Sequence, residues 1–419
     1  MQETKSSSPD SSDIDECAPN TLGIQEAMQR IYSMLRPLDA YEQLDIRAAL
    51  NRVLYQDIAS TIDVPSHTNS AMDGYAIRYE ERDNNLSIAG IAYAGKPFKG
   101  TVANGQAIRI MTGAAIPEGV DTVVMQEHVK VENDEITLLR PVKSGENIRT
   151  KGEDLQIGEI ALTKGRLLSP ADIGLLASMG ISEVKVARKL IVAFFSTGDE
   201  LKSLGEPLEH GQIYDSNRYT LYCMLQKLGC NIIDMGIIPD NKQKIEEAFK
   251  TAALNADVVI TSGGVSVGEA DFVKSTLEKL GTINFWRIAM KPGKPLAVGS
   301  IEKACFFGLP GNPVSAMVTF YQFVQPALRY LMGQTQFENT FLQVKCVSAL
   351  KKRPGRTEFQ RGILFQDENG EFVVKSTGNQ GSHVLSSMSK ANCFIVLEHD
   401  IGSVAEGSRV KVQSFDALM

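Results

Sequence analysis

The segment best equipped for chemistry is the loop 260–271, with the sequence ITSGGVSVGEAD. It carries three glycines and two carboxylates, Glu269 and Asp271, between a run of β-formers and an amphipathic segment that begins at Phe272. Where a glycine loop joins a strand to a helix, backbone N–H groups can approach a phosphate closely. Amides and acids in one loop therefore indicate a phosphorylated ligand held together with a divalent cation.

Two common phosphate-binding motifs are excluded. Gly263 and Gly268 have the spacing of a P-loop, but Glu269 and Ala270 stand where that motif requires Lys and Ser or Thr. The segment also lacks the GxGxxG pattern of a dinucleotide fold. If the loop stood alone, a structural turn in which Asp271 caps a helix would be the better explanation.

Other polar loops follow the remaining predicted strands, and ligands of open α/β sheets bind outside the carboxyl ends of strands. Acids converge there, namely Asp199 or Glu200, Asp240 and the two acids of the glycine loop, together with Lys291 and Lys294. Oxygen ligands beside phosphate suit Mg²⁺. Two simpler interpretations stay open: Asp240 caps the next helix, and the lysines are solvated surface residues. The loops concerned are 196–200, 239–241, 291–294 and 308–313.

Three groups of residues could take part in addition to these acids and lysines. The loop 308–313, GLPGNP, is dense enough in Pro and Gly to form a shaped pocket wall. Asp73 lies in a probable turn, where acids are common for local reasons. Arg361, with other arginines nearby and Ser382, would suit a tetrahedral oxyanion, although scattered surface arginines are the commoner explanation.

The elements that position these residues predict a multidomain α/β plus β chain. Strands and helices alternate from Lys189 to Met332, which predicts a parallel sheet covered on both faces. Short β segments from about Asp63 to Arg149 and from Gln336 onward predict two β domains, and residues 1–20 are expected to be disordered. The strands predicted in the α/β region are Leu190–Phe195, Asn231–Gly236, Asp257–Ile260, Ile283–Ile288 and Cys305–Phe307.

Composition limits the functional class. A chain of 419 residues is expected to hold two to four domains, and its net charge of −7 argues against nucleic acid as the main ligand. Six scattered cysteines form no CxxC pair, which fits a reducing cytoplasm. No apolar run reaches the length of a membrane span, and the N-terminus has no signal-peptide core.

An ordered set of motifs runs through the chain, each of them weak alone. They are Ser70–Ala76 (SAMDGYA), Met111–Ala114 (MTGA), Gly152–Asp154 (GED), Ser196–Glu200 (STGDE), Thr261–Asp271, Lys291–Pro295 (KPGKP) and Gly308–Pro313 (GLPGNP). From about residue 21 to the end, the set resembles molybdopterin molybdenumtransferase, the MoeA family, which includes the E domain of gephyrin. The polar N-terminal tail is an addition to that pattern.

The resemblance implies an elongated cytoplasmic homodimer whose central α/β domain is of the molybdopterin-binding type. Its expected reaction converts adenylyl-molybdopterin and molybdate to molybdenum cofactor and AMP with Mg²⁺. It implies transient contacts with the molybdopterin adenylyltransferase and with downstream cofactor-maturation proteins, but none with nucleic acid or membrane. The implied domains are a tail (1–20), a linker and dimerisation domain (21–62 plus 149–188), an inserted β domain (63–148), the α/β domain (189–333) and a barrel-like β domain (334–419).

The resemblance also assigns roles residue by residue. Glu200 and Asp271 are expected to hold the metal and phosphate, with Asp240 beside them. Asp73 and Thr112 are expected to reach the cleft from the β domain, in the dimer from the partner chain. The expected substrate-binding residues include four candidates for anions of pterin or molybdate, Lys291, Lys294, Arg361 and Ser382, and also Ser196, Gly263, Gly264, Ser266, Gly268, Pro310, Asn312 and Pro313.

Two alternatives stay open at this point. The α/β module would also suit the preceding step, adenylation of molybdopterin, and the chain could instead be a peptide-binding scaffold, as the gephyrin E domain is. The flanking β domains and the Asp73 motif favour the transferase over the first alternative. Acids in several of the loops favour catalysis over the second, because a scaffold would not need them.

Overall fold

The computed structural model describes residues 21–263, 272–337 and 340–415. The chain forms two compact units: one contains the chain up to Tyr41 and from Ala187 onward, and the other is Glu42–Val186. No helix in the described ranges is long and apolar enough to cross a membrane. The finer division into four domains and a tail stays a prediction.

A seven-stranded sheet forms the centre of the larger unit. Its last four strands in spatial order are mutually parallel, as alternating strands and helices predict. The central strands are buried on both faces and read as apolar runs, for example VAFF at 192–195. In spatial order the strands are Thr21–Leu22, Gly281–Ile288, Pro295–Ile301, Ala304–Leu309, Val258–Ser262, Ile191–Thr197 and Asn231–Ile238.

Two strands of this sheet were not predicted, Thr21–Leu22 and Pro295–Ile301. Pro295–Ile301 runs antiparallel to both of its neighbours, so the sheet is mixed on that side. The prolines at 292 and 295 indicate a loop, yet Pro295 is only the first residue of the strand, where the missing N–H is tolerated. A two-residue turn at Glu302 and Lys303, with φ of 51° at Glu302, joins it to the next strand.

Helices cover both faces of the sheet. The segment from Pro313 to Leu331 forms two α-helices joined by a π-helical turn at Phe320–Val324. Pro326 lacks the N–H that would bond four residues back, which accounts for this break. The helix that carries Cys223 ends at Lys227, so Cys230 lies outside it. The helices are Ile24–Met34, Ser216–Lys227, Lys242–Asn255, Phe272–Leu280, Pro313–Thr319 and Gln325–Leu331.

A five-stranded barrel follows in the same unit, as the resemblance implies. It closes because Thr357–Gln366 pairs with both Phe372–Ser376 and Cys393–Leu397. The short strand Met290–Lys291 also pairs with Thr357–Gln366, so the lysine loop is attached to the barrel. The remaining elements are the strands Phe341–Cys346, Arg409–Ser414, Leu201–Lys202 and Ile213–Tyr214 and the helix Leu385–Lys390.

The smaller unit is built around a six-stranded sheet. Its one α-helix, Pro170–Ser178, begins with Ser169 as cap, Pro170 at the first helical position and Asp172 completing a capping box. The sheet strands are, in spatial order, Thr122–Met125, Gly74–Ile77, Gln106–Ile110, Leu86–Ala92, Glu135–Leu138 and Val129–Glu132. Short strands pair two by two: Asn69–Ser70 with Ile148–Arg149, Ile58–Ala59 with Ile160–Leu162, and Tyr41–Asp45 with Glu183–Ala187. Tyr79–Glu81 and Gln126–His128 are 3₁₀ turns.

Candidate active site

The predicted loops meet at the carboxyl edge of the parallel strands. Ser196 is in register with Ser262, and the N–H of Gly263 donates to the carbonyl of Leu309 at 3.1 Å. Gly263 has φ of 92°, and a Cβ there would lie 2.8 Å from the carbonyl oxygen of Thr197. Only glycine fits this close approach, so the backbone at the start of the glycine loop is held against the neighbouring strand end.

Acids converge beside this edge, as predicted. The N–H of Asp240 donates to the Asp199 carboxylate at 3.1 Å. Burial, and then the negative charges of Asp199 and Glu200, raise the pKa of Asp240. Repulsion of this kind indicates a place where a cation would be stabilised.

Asp240 does not cap the following helix. The cap is Asn241, whose side-chain oxygen accepts hydrogen bonds from the N–H groups of Gln243 and Lys244 at 3.0 and 3.1 Å. The interpretation of Asp240 as a helix cap is therefore wrong. Its carboxylate is left to act in the acidic cluster.

The Glu200 carboxylate is folded back over Gly198. Gly198 has φ of 146°, and a Cβ at this position would lie 2.5 Å from Oε2 of Glu200. Any larger residue would push the carboxylate away. The glycine of the STGDE motif thus sets the position of the acid that the resemblance assigns to the metal.

Buried polar atoms at this edge have unmet hydrogen-bonding capacity. Within the described ranges, Ser196 Oγ, Thr261 Oγ1 and Asp215 Oδ2 are buried and have no hydrogen-bond partner. Buried polar atoms are nearly always bonded, so such atoms at a site indicate a water or ligand partner. Ser196 was predicted to bind substrate, whereas Asp215 was not singled out.

Asn217 is a site residue that sequence reasoning missed. Its side-chain nitrogen donates to Ser262 Oγ and to the carbonyl of Gly311, both at 2.7 Å. It therefore joins the strand end before the glycine loop to the loop 308–313. The two partners lie 45 and 94 residues away along the chain, and no local pattern could have indicated them.

The loop 308–313 also contacts the barrel. Pro310 is buried, Pro313 is the first helical residue, and the exposed Asn312 makes no side-chain capping hydrogen bond. The N–H of Val314 donates to the carbonyl of Ser382 at 3.1 Å. Ser382 is thus placed against the start of this helix, as a shared site requires.

A cavity of about 330 Å³ lies between the lysine loop and the barrel. Lys291 Nζ is 3.7 Å from the Glu358 carboxylate, and the backbone carbonyl of Lys294 accepts from Ile288 N–H at 2.7 Å, which ties down the end of the loop. Arg361, predicted to bind anions, also lines the cavity. Other lining residues include Lys351, Gln360, Ser376 and Gln380.

Asp73 and Thr112 meet in the smaller unit. One oxygen of Asp73 accepts from both the N–H and the hydroxyl of Thr112, at 2.7 and 2.8 Å. These bonds, the backbone one first, lower the pKa of Asp73, and Arg109 adds to the effect. Asp73 is therefore held ionised, but its approach to the cleft stays a prediction.

Five residues singled out in the sequence, Gly264, Ser266, Gly268, Glu269 and Asp271, lie outside the described residues. Across 21–263, 272–337 and 340–415, no group of three or more His, Cys, Asp or Glu side chains is placed to hold a metal ion. Burial raises the pKa of Cys230 and Cys393 to about 12 and that of Cys305 to about 11, so these thiols stay protonated at neutral pH.

Comparison with known protein families covers nearly all of the chain. Residues 22–180 match the MoeA N-terminal region (domains I and II), 193–330 a probable molybdopterin binding domain, and 343–415 the MoeA C-terminal region (domain IV). A molybdopterin molybdenumtransferase of Haemophilus influenzae is 49% identical over 403 residues, which is 95% of this chain and 100% of the relative. The chain belongs to the MoeA family of molybdopterin molybdenumtransferases.

Two further relatives support this membership of the MoeA family. Gephyrin of Dictyostelium discoideum is 35% identical over 421 residues, covering 88% of this chain and 59% of that protein. The crystal structure of a molybdopterin biosynthesis MoeA protein from Pyrococcus horikoshii OT3 matches with a TM-score of 0.82 and 31% identity, covering 94% of this chain and 100% of that one. The predicted fold class and the assignment to an enzyme family of molybdenum cofactor biosynthesis are confirmed. Homodimer formation, cytoplasmic location and protein partners stay predictions.

Proposed function

We propose that this enzyme inserts molybdenum from molybdate into adenylyl-molybdopterin and releases AMP in a reaction that needs Mg²⁺. The observation that carries the proposal is that two sites of opposite charge lie in the same compact unit. Acids Asp199, Glu200 and Asp240 cluster at the carboxyl edge of the sheet, and a cavity lined by Lys291 and Arg361 lies at the barrel. The family's curated relatives carry the name of this activity.

The loop 308–313 connects the two sites. Asn217 joins Gly311 to the strand end at Ser262, and Val314, directly after the loop, donates its N–H to the carbonyl of Ser382. A substrate with a nucleotide phosphate at the sheet edge could therefore present its sulfur end toward the anion-binding cavity. Holding two anions together is the main task, because molybdate and the phosphorylated pterin repel each other in solution.

The residues at the acidic edge fit Mg²⁺. Mg²⁺ commonly uses one or two carboxylates together with substrate phosphate and water, so it needs no cage of three protein acids. Burial, and then the negative charges of Asp199 and Glu200, raise the pKa of Asp240, so a bound cation would relieve part of this cost. Glu200 and Asp271, with Asp240 beside them, would hold the ion, which when bound would neutralise the phosphoanhydride and make AMP a better leaving group.

The cationic side chains act on the other anion. Lys291, Lys294 and Arg361 would neutralise molybdate and orient it toward the two sulfurs of the pterin, where two oxygen ligands of molybdenum are exchanged for sulfur. The buried cysteines with raised pKa take no part as nucleophiles. The chain thus contributes positioning and charge rather than a covalent intermediate.

The proposal is tested by Asp271→Asn, with exposed Glu278→Gln as the control on the helix that follows the loop. With limiting Mg²⁺, the Asp271 variant is expected to release AMP more slowly and to recover in part as Mg²⁺ is raised. Release at the wild-type rate in limiting Mg²⁺ would refute the metal role. Supplying ATP and molybdopterin separates the preceding step: efficient adenylation by this chain alone would overturn the proposed reaction.

A further inference from the structure

Arg361 is an unusual cation for a barrel interior. Its side chain is only 1% exposed, and its two hydrogen-bond acceptors are neutral: Nε donates to Ser387 Oγ and Nη2 to the carbonyl of Gly381, both at 3.0 Å. Burial lowers the pKa of Arg361 to about 10, with Glu358 opposing this effect. The positive charge is therefore kept in a dry place without a hydrogen-bonded counter-ion, beside a cavity.

Gln380 holds the backbone on both sides of this arginine. Its side-chain oxygen accepts from the N–H of Arg361 at 2.8 Å, and its side-chain nitrogen donates to the carbonyl of Arg361 at 3.1 Å. The same nitrogen also donates to Ser376 Oγ at 3.1 Å. Gln380 lines the cavity and immediately precedes Gly381, whose carbonyl receives the guanidinium. One side chain thus couples the strand, the loop and the charged group.

An amide is needed at this position because it must accept and donate at once. The paired contacts fix which way the amide points, since the N–H of Arg361 needs an acceptor and its carbonyl a donor. A glutamate would keep the acceptor but lose the donor, and it would place a negative charge beside the anion cavity. A leucine would leave the Arg361 N–H without its partner.

We propose that Gln380 is a positioning residue that holds the backbone of Arg361 at the wall of the cavity and so sets the affinity for the tetrahedral oxyanion substrate. This inference rests on the proposed function, because it takes molybdate as the anion that Arg361 binds. Gln380 acts through Arg361 and carries no charge of its own. Replacing Gln380 should therefore change the affinity for molybdate and not the affinity for adenylyl-molybdopterin.

The test compares Gln380→Leu and Gln380→Glu with Gln366→Leu, an exposed glutamine on the barrel strand that carries Arg361. Loss of one buried hydrogen-bond partner predicts a rise of about tenfold in the KM for molybdate with Gln380→Leu. Gln380→Glu is expected to raise it further by adding repulsion. In the Gln366→Leu control, the KM for molybdate should stay within about threefold of wild type. In the Gln380 variants, kcat and the KM for adenylyl-molybdopterin should stay within the same range. Unchanged molybdate KM in both Gln380 variants overturns the inference.

Two measurements keep this result separate from failure of the proposed function. Arg361→Lys is measured in parallel: if it leaves the molybdate KM unchanged, the cavity is not the molybdate site and the proposed assignment fails. If Arg361→Lys raises KM but neither Gln380 variant does, only the positioning role fails. Calorimetric titration of the full chain with molybdate must show the same order of affinities. Gln380→Glu keeps the acceptor for Arg361 N–H, so it remains a test if Gln380→Leu unfolds.

Discussion

Replacing Arg361 by methionine should remove molybdate binding with little loss of stability. The fall of its pKa from 12.5 to about 10 corresponds to about 3 kcal/mol lost by the charged guanidinium on burial, at about 1.4 kcal/mol per pH unit. Because 10 lies well above neutrality, Arg361 is still charged at pH 7 and the cost applies there. Methionine removes this cost and fills much of the same volume.

The loss of two hydrogen bonds acts against this gain in stability. Ser387 Oγ and the carbonyl of Gly381 lose a charged donor, at about 1.5–3 kcal/mol each. The apolar methionine side chain offsets part of this loss, so we expect the free energy of unfolding to change by no more than about 2 kcal/mol. If nothing offset the loss of these two hydrogen bonds, removing Arg361 would cost about 3–6 kcal/mol.

Two assays decide the matter. Chemical denaturation at pH 7 gives the stability difference between wild type and Arg361→Met, and a thermal shift with added molybdate gives binding. Wild type should be stabilised by molybdate and the variant should not. A loss above about 3 kcal/mol would show that Arg361 is structural, and an undiminished molybdate shift in the variant would refute its role in binding.

Three further predictions concern the other groups of the site. Asp240→Asn removes a carboxylate with a raised pKa, so at a pH above the pKa of Asp240 the variant should melt at a higher temperature than wild type. This difference in melting temperature should disappear as the pH falls below about 4. The variant should also need more Mg²⁺ for AMP release, and identical melting profiles would contradict the repulsion. Thr112→Val keeps the N–H bond to Asp73 but loses the hydroxyl, so the pKa of Asp73 should rise, as NMR titration can follow; no rise means that the hydroxyl is not needed. Asn217→Ala should raise the KM for adenylyl-molybdopterin about tenfold and leave the KM for molybdate unchanged. Asn369→Ala, at an exposed position, serves as the control. An equal rise in both KM values would argue against a role at the sheet edge alone.

Patterns along the chain were sufficient for most elements because each has local causes. Apolar runs between glycine turns identify the parallel strands, and Ser169 with Pro170 marks a helix start. The strand Pro295–Ile301 was missed because its prolines indicate a loop, while its pairing partners are set by the sheet. The π-helical turn depends on Pro326 inside an otherwise continuous helix, a conflict that the apolar pattern does not reveal.

The site residues likewise divide into those that local sequence patterns indicate and those that depend on the fold. Asp199, Glu200 and Asp240 could be placed together because carboxyl ends of parallel strands share one edge. Asn217 and Gln380 could not be found, since their roles depend on partners brought near by the fold. Arg361 was singled out by its type and by the resemblance, but its burial is a property of the closed barrel.

The central claim is the coupling of molybdenum insertion to AMP release. The most direct measurement supplies the purified chain with adenylyl-molybdopterin, Mg²⁺ and increasing molybdate, and follows AMP and molybdenum cofactor in the same samples. We expect AMP release to depend on molybdate and to match the cofactor formed in a one-to-one ratio. AMP released equally fast without molybdate, or cofactor formed without AMP, would contradict the account.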